Sequence, residues 1–220
     1  MYISMIDFIR YLLLGLVQGV TEPLPISSSG HLVIVKEIFN ITTGDETGFN
    51  IFVNFGSLIA IMFFYRTFIK EVVSGAFAYV FKKNKDHKKD FLYLLYVAFA
   101  TIPAGMAGLF LKAPIENIFS TLFSVAITLF ITGSLLFFIH YVSKLAQRDT
   151  ITLSTAIMMG FAQIAGLFPG ISRSGATTSL GVLKKVDLIK ALRFSFMMYI
   201  PISIASLGYG IYEFNSADAY

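Results

Sequence analysis

Residues 15–31 read GLVQGVTEPLPISSSGH, and they interrupt an otherwise apolar N-terminal segment. Pro23 and Pro25 end the helix that precedes them, because proline lacks a backbone donor and disfavours helical geometry at the residue before it. A second apolar piece, residues 31–39, follows the serines and the glycine. Nine helical residues rise only about 14 Å, so this piece is too short to cross a bilayer. We therefore predict a helical hairpin that enters and leaves a membrane on one face.

The same pattern returns 145 residues later without a gap, where the chain reads GFAQIAGLFPGISRSGATT over residues 160–178. The aligned positions are Gln18 with Gln163, ISSSG (26–30) with ISRSG (171–175), and Phe49 with Phe194. Apolar segments match by chance more readily than glutamine, serine and glycine do, so we interpret the two stretches as copies of one unit. The second hairpin is predicted to break at residues 169–170 and to resume near Ala176.

The composition places the chain in a membrane. Hydrophobic residues make up 56% of the 220, charged residues only 14%, and the mean hydropathy is +0.75. A soluble domain would carry roughly twice that charged fraction. Long apolar runs, several near or above the ~20 residues of a crossing, cover 5–22, 51–65, 91–111, 117–142, 151–168 and 194–212. No secretory signal is evident, so residues 1–22 are expected to remain in the fold. The absence of cysteine excludes disulfides and thiolate metal sites.

Basic residues predict the orientation of these runs. The lysine-rich loop at 82–89 is expected to stay cytoplasmic. The run 91–111 is then predicted to cross from the cytoplasmic side to the outside, and 117–142 to cross back. The run 49–65 is predicted to cross from the outside to the cytoplasmic side. Thirteen of the 17 Lys and Arg residues fall inside, the exceptions being Arg10, Lys36, Lys112 and Arg173. The two copies thereby receive opposite orientations, as in an inverted repeat.

The predicted fold is therefore an all-α polytopic membrane protein with four full crossings and two oppositely inserted re-entrant hairpins. Irregular backbone at membrane depth is tolerated only where protein or a wet cavity surrounds it, so the two breaks are expected to meet in one polar site. We expect a single integral membrane domain over residues 1–220. Its repeat halves are about 1–142 and 150–220, the second being shortened.

The first break carries the residues of a catalytic or metal site. Gln18 and Glu22 lie four residues apart, hence on one helix face. An intramembrane carboxylate is costly and indicates function, and it suits a hard divalent cation. Ser28 and His31 form a hydroxyl and imidazole pair suited to nucleophilic attack. The alternatives are a Glu22 at the membrane interface, a structural histidine and a serine N-cap.

The second break resembles an anion-binding site. Glycines, hydroxyls and Arg173 precede a helix, where backbone N–H groups and the helix dipole favour negative charge. A guanidinium binds phosphate in a bidentate manner. The alternative is a polar loop whose arginine reaches a lipid headgroup. The nucleotide-binding loop pattern is missing, which disfavours a kinase. The two breaks together supply the parts of a phosphoryl-transfer site, but spacing does not distinguish hydrolysis from transport of a phosphorylated lipid.

QGVTEPLPISSSGH at residues 18–31 resembles the first signature of the bacterial undecaprenyl-diphosphate phosphatase family of the bacitracin-resistance type. PGISRSGAT at residues 169–177 resembles the second. Residues 49–61 and 191–201 are also similar to family segments. The resemblance implies hydrolysis of undecaprenyl diphosphate to the monophosphate that carries cell-wall precursors, and with it bacitracin resistance. It further implies a divalent cation such as Mg²⁺ or Ca²⁺, a site that faces the periplasm and a place in the bacterial cell membrane.

The resemblance also assigns roles to individual residues. Glu22 and Gln18 would hold the metal or position water. Ser28 would be the nucleophile and His31 its base, with direct attack by His31 as the minority variant. Arg173 would bind the diphosphate, and the remaining predicted substrate contacts are Ser27, Ser172, Ser174 and Thr177. The rival function is a polyprenyl-phosphate transporter or flippase without hydrolysis.

The sequence departs from the family pattern in two places. Ser29 stands where a threonine is expected, which keeps the hydroxyl. The family usually continues for two further membrane helices after the segment that ends near Tyr212. The expectation is a compact member, a wall supplied by a partner such as a second copy in a homodimer, or a shortened sequence.

Overall fold

The computed structural model describes residues 5–43, 46–119, 121–146 and 148–217, and the regular structure in those ranges is helical. Arg148 and Val186 form an isolated β-bridge. Within this part of the chain, the α-helices in order are α1 (Met5–Thr21), α2 (Ser28–Ile38), α3 (Glu46–Phe64), α4 (Arg66–Phe81), α5 (Lys88–Phe119), α6 (Leu122–Val142), α7 (Leu153–Gln163), α8 (Arg173–Leu183) and α9 (Leu188–Ala217). Short 3₁₀ turns span Lys85–His87, Ser143–Leu145 and Ile164–Leu167. The predicted all-α class is confirmed.

Helices α1 and α2 form the first hairpin and pack together around Leu14 and Leu32. The side chain of Ser27 caps α2, since its Oγ accepts a hydrogen bond from the backbone N of Gly30 at 3.3 Å. The sequence pattern predicts that the second helix begins at residue 31, after the serines and the glycine. Instead the helix begins at Ser28, because the cap satisfies the first backbone donors one turn earlier.

Helices α7 and α8 form the second hairpin, and its helix start is built in the same way. The Oγ of Ser172 accepts from the backbone N of Gly175 at 3.0 Å. The Oγ atoms of Ser172 and Ser174 are 3.3 Å apart, and those of Ser27 and Ser29 are also 3.3 Å apart. The cap starts α8 at Arg173, so the prediction that the helix resumes near Ala176 was three residues late.

Three helical segments among the described residues are long and apolar enough to cross a membrane: Lys85–Ile115, Leu122–Leu145 and Leu188–Tyr212. The pair α3 and α4, bent by 74° at Tyr65, is a fourth when counted as one broken span. The protein is therefore a multi-pass membrane protein, and the predicted four crossings agree with the upper count. The predicted run 117–142 is wrong at its start, since α5 continues to Phe119. The re-entrant insertion of the two hairpins stays a prediction.

The two breaks lie in direct contact. A Cβ at Gly30 would be 2.9 Å from the Cα of Gly170, so no side chain fits between them. Gly170 also has a φ of 92°, which a residue with a Cβ rarely adopts. Helix α6 holds this break, because the Oγ1 of Thr132 donates to the carbonyl of Gly170 at 2.8 Å and accepts from the N of Ser172 at 3.1 Å. The expected meeting of the two breaks is thus observed.

The main hydrophobic core lies beside this contact, where α9 packs on α3, α5 and α8 and where α7 packs on α5. Phe194 and Met198 of α9, Met159 of α7 and Ala100 of α5 are completely buried. Many other large apolar side chains are exposed on the outside of the helices, as expected where lipid is the solvent. This rigid core fixes the position of α9 against the two hairpins.

Candidate active site

The carboxylate of Glu22 is the centre of the site, and the residue is only 8% exposed. Its Oε1 accepts a hydrogen bond from Nη2 of Arg173 at 2.7 Å, an ion pair that joins the two hairpins. Its Oε2 accepts from Nε2 of Gln18 at 3.0 Å and from the hydroxyl of Ser28. A buried carboxylate is costly unless it is paired and hydrogen-bonded, and these contacts meet that requirement. The structure thus brings together four of the residues that the sequence predicted for the site.

Arg173 carries a buried donor that makes no hydrogen bond to the described residues. Its Nη2 is bound to Glu22, and its guanidinium carbon lies 4.0 Å from the ring centroid of Tyr199. Its Nη1 is buried and has no hydrogen-bond partner among the described residues. A buried N–H group normally has a partner, and phosphate oxygens match the fork of a guanidinium. The Nη1 atom is therefore a guanidinium donor whose hydrogen-bonding capacity is unused in this structure.

A closed ring of contacts holds the ion pair in place. Gln18 donates to Oδ1 of Asn54 at 3.2 Å as well as to Glu22. The hydroxyl of Tyr199 donates to the backbone carbonyl of Asn54 at 3.1 Å. Since the Tyr199 ring lies against Arg173 and Arg173 is paired with Glu22, the ring of contacts joins α1, α3, α8 and α9.

Asn54 and Tyr199 were missed by the sequence analysis. Neither belongs to the two serine-rich stretches, and an aromatic residue in an apolar run does not stand out. One signal was available, because the 145-residue shift that aligns the two stretches also places Asn54 on Tyr199. Both residues lie outside the two hairpins: Asn54 is on α3 and Tyr199 is on α9.

The predicted substrate contacts occupy different positions around this centre. Ser27 and Ser172 are the two N-caps, and both are almost completely buried. Ser174 is 4% exposed and lies beside Ser172. The hydroxyl of Thr177 lies 2.5 Å from the Oγ of Ser195 and donates to the backbone carbonyl of Arg173 at 2.9 Å.

His31 lies one turn into α2, and its Nδ1 is 2.7 Å from the backbone carbonyl of Ser27. A carbonyl oxygen only accepts, so Nδ1 carries a proton in this contact. In the neutral ring, Nε2 is then the nitrogen that can act as a base. The hydroxyl of Ser28 donates to Glu22 and not to His31. The structure therefore adds Glu22 to the groups that could accept the serine proton.

The donor set fits a divalent cation only together with a substrate. Among the described residues, no three His, Cys, Asp or Glu side chains come together to hold a metal. The site offers one carboxylate, Glu22, and the amide oxygens of Gln18 and Asn54. Magnesium is commonly bound by one or two carboxylates and by substrate phosphates. A phosphate that draws Arg173 away from Glu22 would leave a carboxylate oxygen for such a cation.

Fold and site define a class of protein: a multi-pass helical membrane protein with an arginine, carboxylate and hydroxyl site where two hairpins meet. The family described as bacitracin resistance protein BacA matches residues 11–219 of this chain. The match covers nearly all of the sequence, and the chain belongs to this family.

Relatives from several bacteria agree with this assignment. Undecaprenyl-diphosphatase 1 of Halalkalibacterium halodurans is 44% identical over 200 residues, which are 90% of this chain and 72% of that protein. Undecaprenyl-diphosphatase 1 of Bacillus licheniformis is 41% identical over 197 residues, covering 89% of this chain and 73% of the relative. Undecaprenyl-diphosphatase of Oceanobacillus iheyensis is 40% identical over 202 residues, with 90% and 72% covered.

Proposed function

We propose that this protein hydrolyses undecaprenyl diphosphate to undecaprenyl phosphate and inorganic phosphate. Its relatives bear the name undecaprenyl-diphosphatase at about 40% identity or more over most of the chain. The observation that carries the proposal is the ion pair of Glu22 and Arg173 at 2.7 Å, because it joins the two hairpins beside a free buried guanidinium donor. Hydrolysis would return the lipid carrier to cell-wall synthesis, and this activity would underlie bacitracin resistance.

Arg173 is the residue proposed to bind the diphosphate. Its Nη1 is free, and its Nη2 can exchange Glu22 for a phosphate oxygen, so that two parallel hydrogen bonds form. The first-turn N–H groups of α8 add positive potential on the same side. Ser172 and Ser174 support this helix start, while Thr177 is proposed to position Arg173 through its bond to the Arg173 carbonyl.

Ser28 is the proposed nucleophile. Its Oγ attacks the terminal phosphorus, the bond to the bridging oxygen breaks, and the electron pair leaves with undecaprenyl phosphate. Water then hydrolyses the phosphoserine, which releases phosphate and restores the hydroxyl. The base implied by the family resemblance is His31, whose Nε2 is left free by the contact of Nδ1 with Ser27. The base suggested by the observed hydrogen bond of Ser28 is Oε2 of Glu22. Attack by His31 or by water remains the alternative to attack by Ser28.

A divalent cation, Mg²⁺ or Ca²⁺, is proposed to bind to Glu22 and Gln18 when the substrate is present. When bound, the cation would neutralise the negative charge that develops on the leaving phosphate oxygen. When Arg173 moves from Glu22 to the substrate, the cation would replace it as the positive partner of the carboxylate.

The isoprenoid chain is proposed to lie in an apolar groove of about 220 Å³ between α1 and α3. A Cβ added at Gly15, Gly19 or Gly56 would meet no atom within 4 Å, so the groove is open along both helices. Gly19 and Pro23, which line the groove, lie next to Gln18 and Glu22 in the chain. A lipid with its diphosphate at Arg173 could therefore leave the site along this groove.

The protein is proposed to act in the bacterial cell membrane as a single integral domain, because residues from both hairpins are needed for the one site. The lysine-rich loop at 82–89 would face the cytoplasm and the active site the periplasmic or extracellular side. Support comes from the distribution of Lys and Arg along the chain, which follows the rule that cytoplasmic loops are enriched in these residues.

Purified protein supplied with undecaprenyl diphosphate tests the function directly. We expect stoichiometric release of inorganic phosphate that depends on the added divalent cation and is lost in Ser28→Ala. The rival function, lipid transport without hydrolysis, is not favoured by the names of the relatives. Folded protein that moves the lipid between leaflets of a vesicle and releases no phosphate would support that rival and refute the hydrolase.

A further inference from the structure

Arg193 is a partly buried cation that the proposed chemistry does not use. Its Nε is shielded from solvent and makes no hydrogen bond within the described part of the chain. It takes part in none of the ion pairs formed between described residues. A buried N–H group without an acceptor destabilises a fold, and a cation and π contact supplies no acceptor for it. An anion at this position would remove the deficit.

Side chains from α4, α5, α9 and the bend between α3 and α4 form what we call the Arg193 cluster: Arg193, Tyr65, Phe68 and Tyr93. The guanidinium carbon lies 4.7 Å from the ring centroid of Phe68. Tyr65, Phe68 and Tyr93 all pack against the main core, and the Phe68 ring contacts the ring of Tyr93. The hydroxyl of Tyr93 is buried and has no hydrogen-bond partner among the described residues. The cluster thus presents a guanidinium N–H and a tyrosine hydroxyl that lack acceptors.

Aromatic packing fixes the geometry of the cluster. The Tyr93 ring makes edge-to-face contacts with Phe68 at 5.5 Å and with Phe194 at 5.4 Å between centroids. The Tyr65 ring lies 5.8 Å from that of Phe196. Because Phe194 and Phe196 are almost completely buried in the main core, the donors are held in place before any ligand binds. Such preorganisation is typical of binding sites.

The cluster is separate from the Glu22 and Arg173 site. Arg193 precedes Tyr199 by six residues on α9, which corresponds to about 9 Å along the helix. It lies instead toward the basic end of the molecule. Tyr93 follows the start of α5 at Lys88, Arg193 follows Lys190, and Tyr65 precedes Arg66. Positive charge around the cluster would attract anions to it.

We propose that the Arg193 cluster is a second binding site, for the phosphate oxyanion of a lipid headgroup or of free phosphate. Arginine donates two parallel hydrogen bonds to such a group, and tyrosine hydroxyls donate to the remaining oxygens. Phe68 and the neighbouring aromatic side chains provide apolar surface that suits the glycerol or isoprenoid part of a lipid. The site does not depend on the proposed hydrolysis, because it concerns binding at a different place.

The test is ligand-dependent thermal stability of the purified full chain carrying Arg173→Gln, which disables the first phosphate site. The probes are a short-chain phosphatidic acid, a diacylglycerol of the same chains and inorganic phosphate. We expect phosphatidic acid to raise the midpoint of unfolding and diacylglycerol to leave it unchanged. With Arg193→Gln added, the required concentration of phosphatidic acid should rise by about tenfold or more, as expected for the loss of hydrogen bonds to a charged group. Stabilisation by inorganic phosphate as well would identify free phosphate as a ligand, and its absence would restrict the site to lipids.

Lys190→Gln is the matched control, since it removes one positive charge from the same helix one turn away. If Lys190→Gln and Arg193→Gln weaken the binding of phosphatidic acid equally, the effect reflects overall positive charge and not a specific site. That result would overturn the proposal. The absence of stabilisation by both phosphate probes in the Arg173→Gln protein would also overturn it. Should that variant not fold, the same titration in wild-type protein and in Arg193→Lys decides. Two saturable phases are expected in wild type, with the second weakened in the lysine variant, and a single phase unaffected by Arg193→Lys refutes the site.

Discussion

At the scale of residues, the ion pair of Glu22 and Arg173 explains how a charged site is kept inside a membrane protein. Each group satisfies the other while the site is free of substrate, so neither charge is isolated in an apolar surrounding. A diphosphate can take over Arg173 without leaving the guanidinium unpaired at any stage. The pair is therefore a structural link between two hairpins, and in the proposed function it is also the position at which the phosphate binds.

Arg173→Lys tests the bidentate contact. An ammonium group keeps the charge but cannot form the two parallel hydrogen bonds of a guanidinium. We expect kcat/KM to fall by about tenfold to a hundredfold, in line with the loss of one hydrogen bond to a charged group. Arg66→Lys, at an exposed position, is the control and should keep wild-type kinetics. Wild-type turnover and affinity in Arg173→Lys would refute the role.

Trapping the covalent intermediate distinguishes attack by Ser28 from attack by His31. Labelled substrate in a single turnover should leave phosphate on Ser28, recognised by an adduct that is stable in acid and labile in base. Ser28→Ala should abolish turnover while substrate still binds. If His31 is the base, His31→Ala should also lose nearly all turnover. Near-normal turnover in His31→Ala would remove His31 as the base and leave Glu22, which the Ser28 hydroxyl contacts, as the proton acceptor. An acid-labile, base-stable adduct would end the assignment to Ser28.

Tyr199 is predicted to hold Arg173 in position by its ring. Tyr199→Phe keeps the aromatic face and should retain most activity, although the bond to Asn54 is lost. Tyr199→Leu removes the face and should lower kcat/KM by about threefold to thirtyfold, the range expected for a cation and π contact. Tyr209→Leu, on an exposed position of the same helix, should have no effect. Equal losses in the phenylalanine and leucine variants would show that the hydroxyl matters instead.

At the scale of elements, the glycines of α1 and α3 leave the groove between these helices open. Gly56→Leu would fill it, so KM for undecaprenyl diphosphate should rise severalfold while KM for a short-chain isoprenyl diphosphate should not change. Gly133→Leu is a suitable control, because a Cβ added at Gly133 on α6 would also meet no atom within 4 Å, yet Gly133 does not line the groove. A similar rise for both substrates would argue against a tail-binding groove.

At the scale of the whole molecule, the distribution of Lys and Arg predicts which ends of the helices face the cytoplasm. The chain contains no cysteine, so single cysteines can be introduced without a background. Lys83→Cys and Lys184→Cys should react with a membrane-impermeant thiol reagent only from the cytoplasmic side, and Phe39→Cys only from outside. Labelling of Lys83→Cys and Lys184→Cys from opposite sides would refute the inverted arrangement of the repeats.

Local patterns were sufficient for the outline of the molecule. Prolines, serines and glycines located both breaks, and hydropathy located the crossings, because these effects depend on residues close together in the chain. The helix starts were misplaced by a few residues. The N-caps of Ser27 and Ser172 decide them, and serine-rich stretches contain several positions at which such a cap could form.

The chain alone also singled out Glu22 and Arg173, which the structure pairs, since charges inside a membrane are costly unless they are paired or functional. Their partners could only be found in the folded molecule. Ser28 bonds to Glu22 instead of His31, Thr177 turns toward Ser195, and Tyr199 faces Arg173. Contacts of this kind depend on how far each helix is rotated and how closely it packs against helices distant in sequence. Packing of the whole core sets those quantities, and no short stretch of residues encodes them.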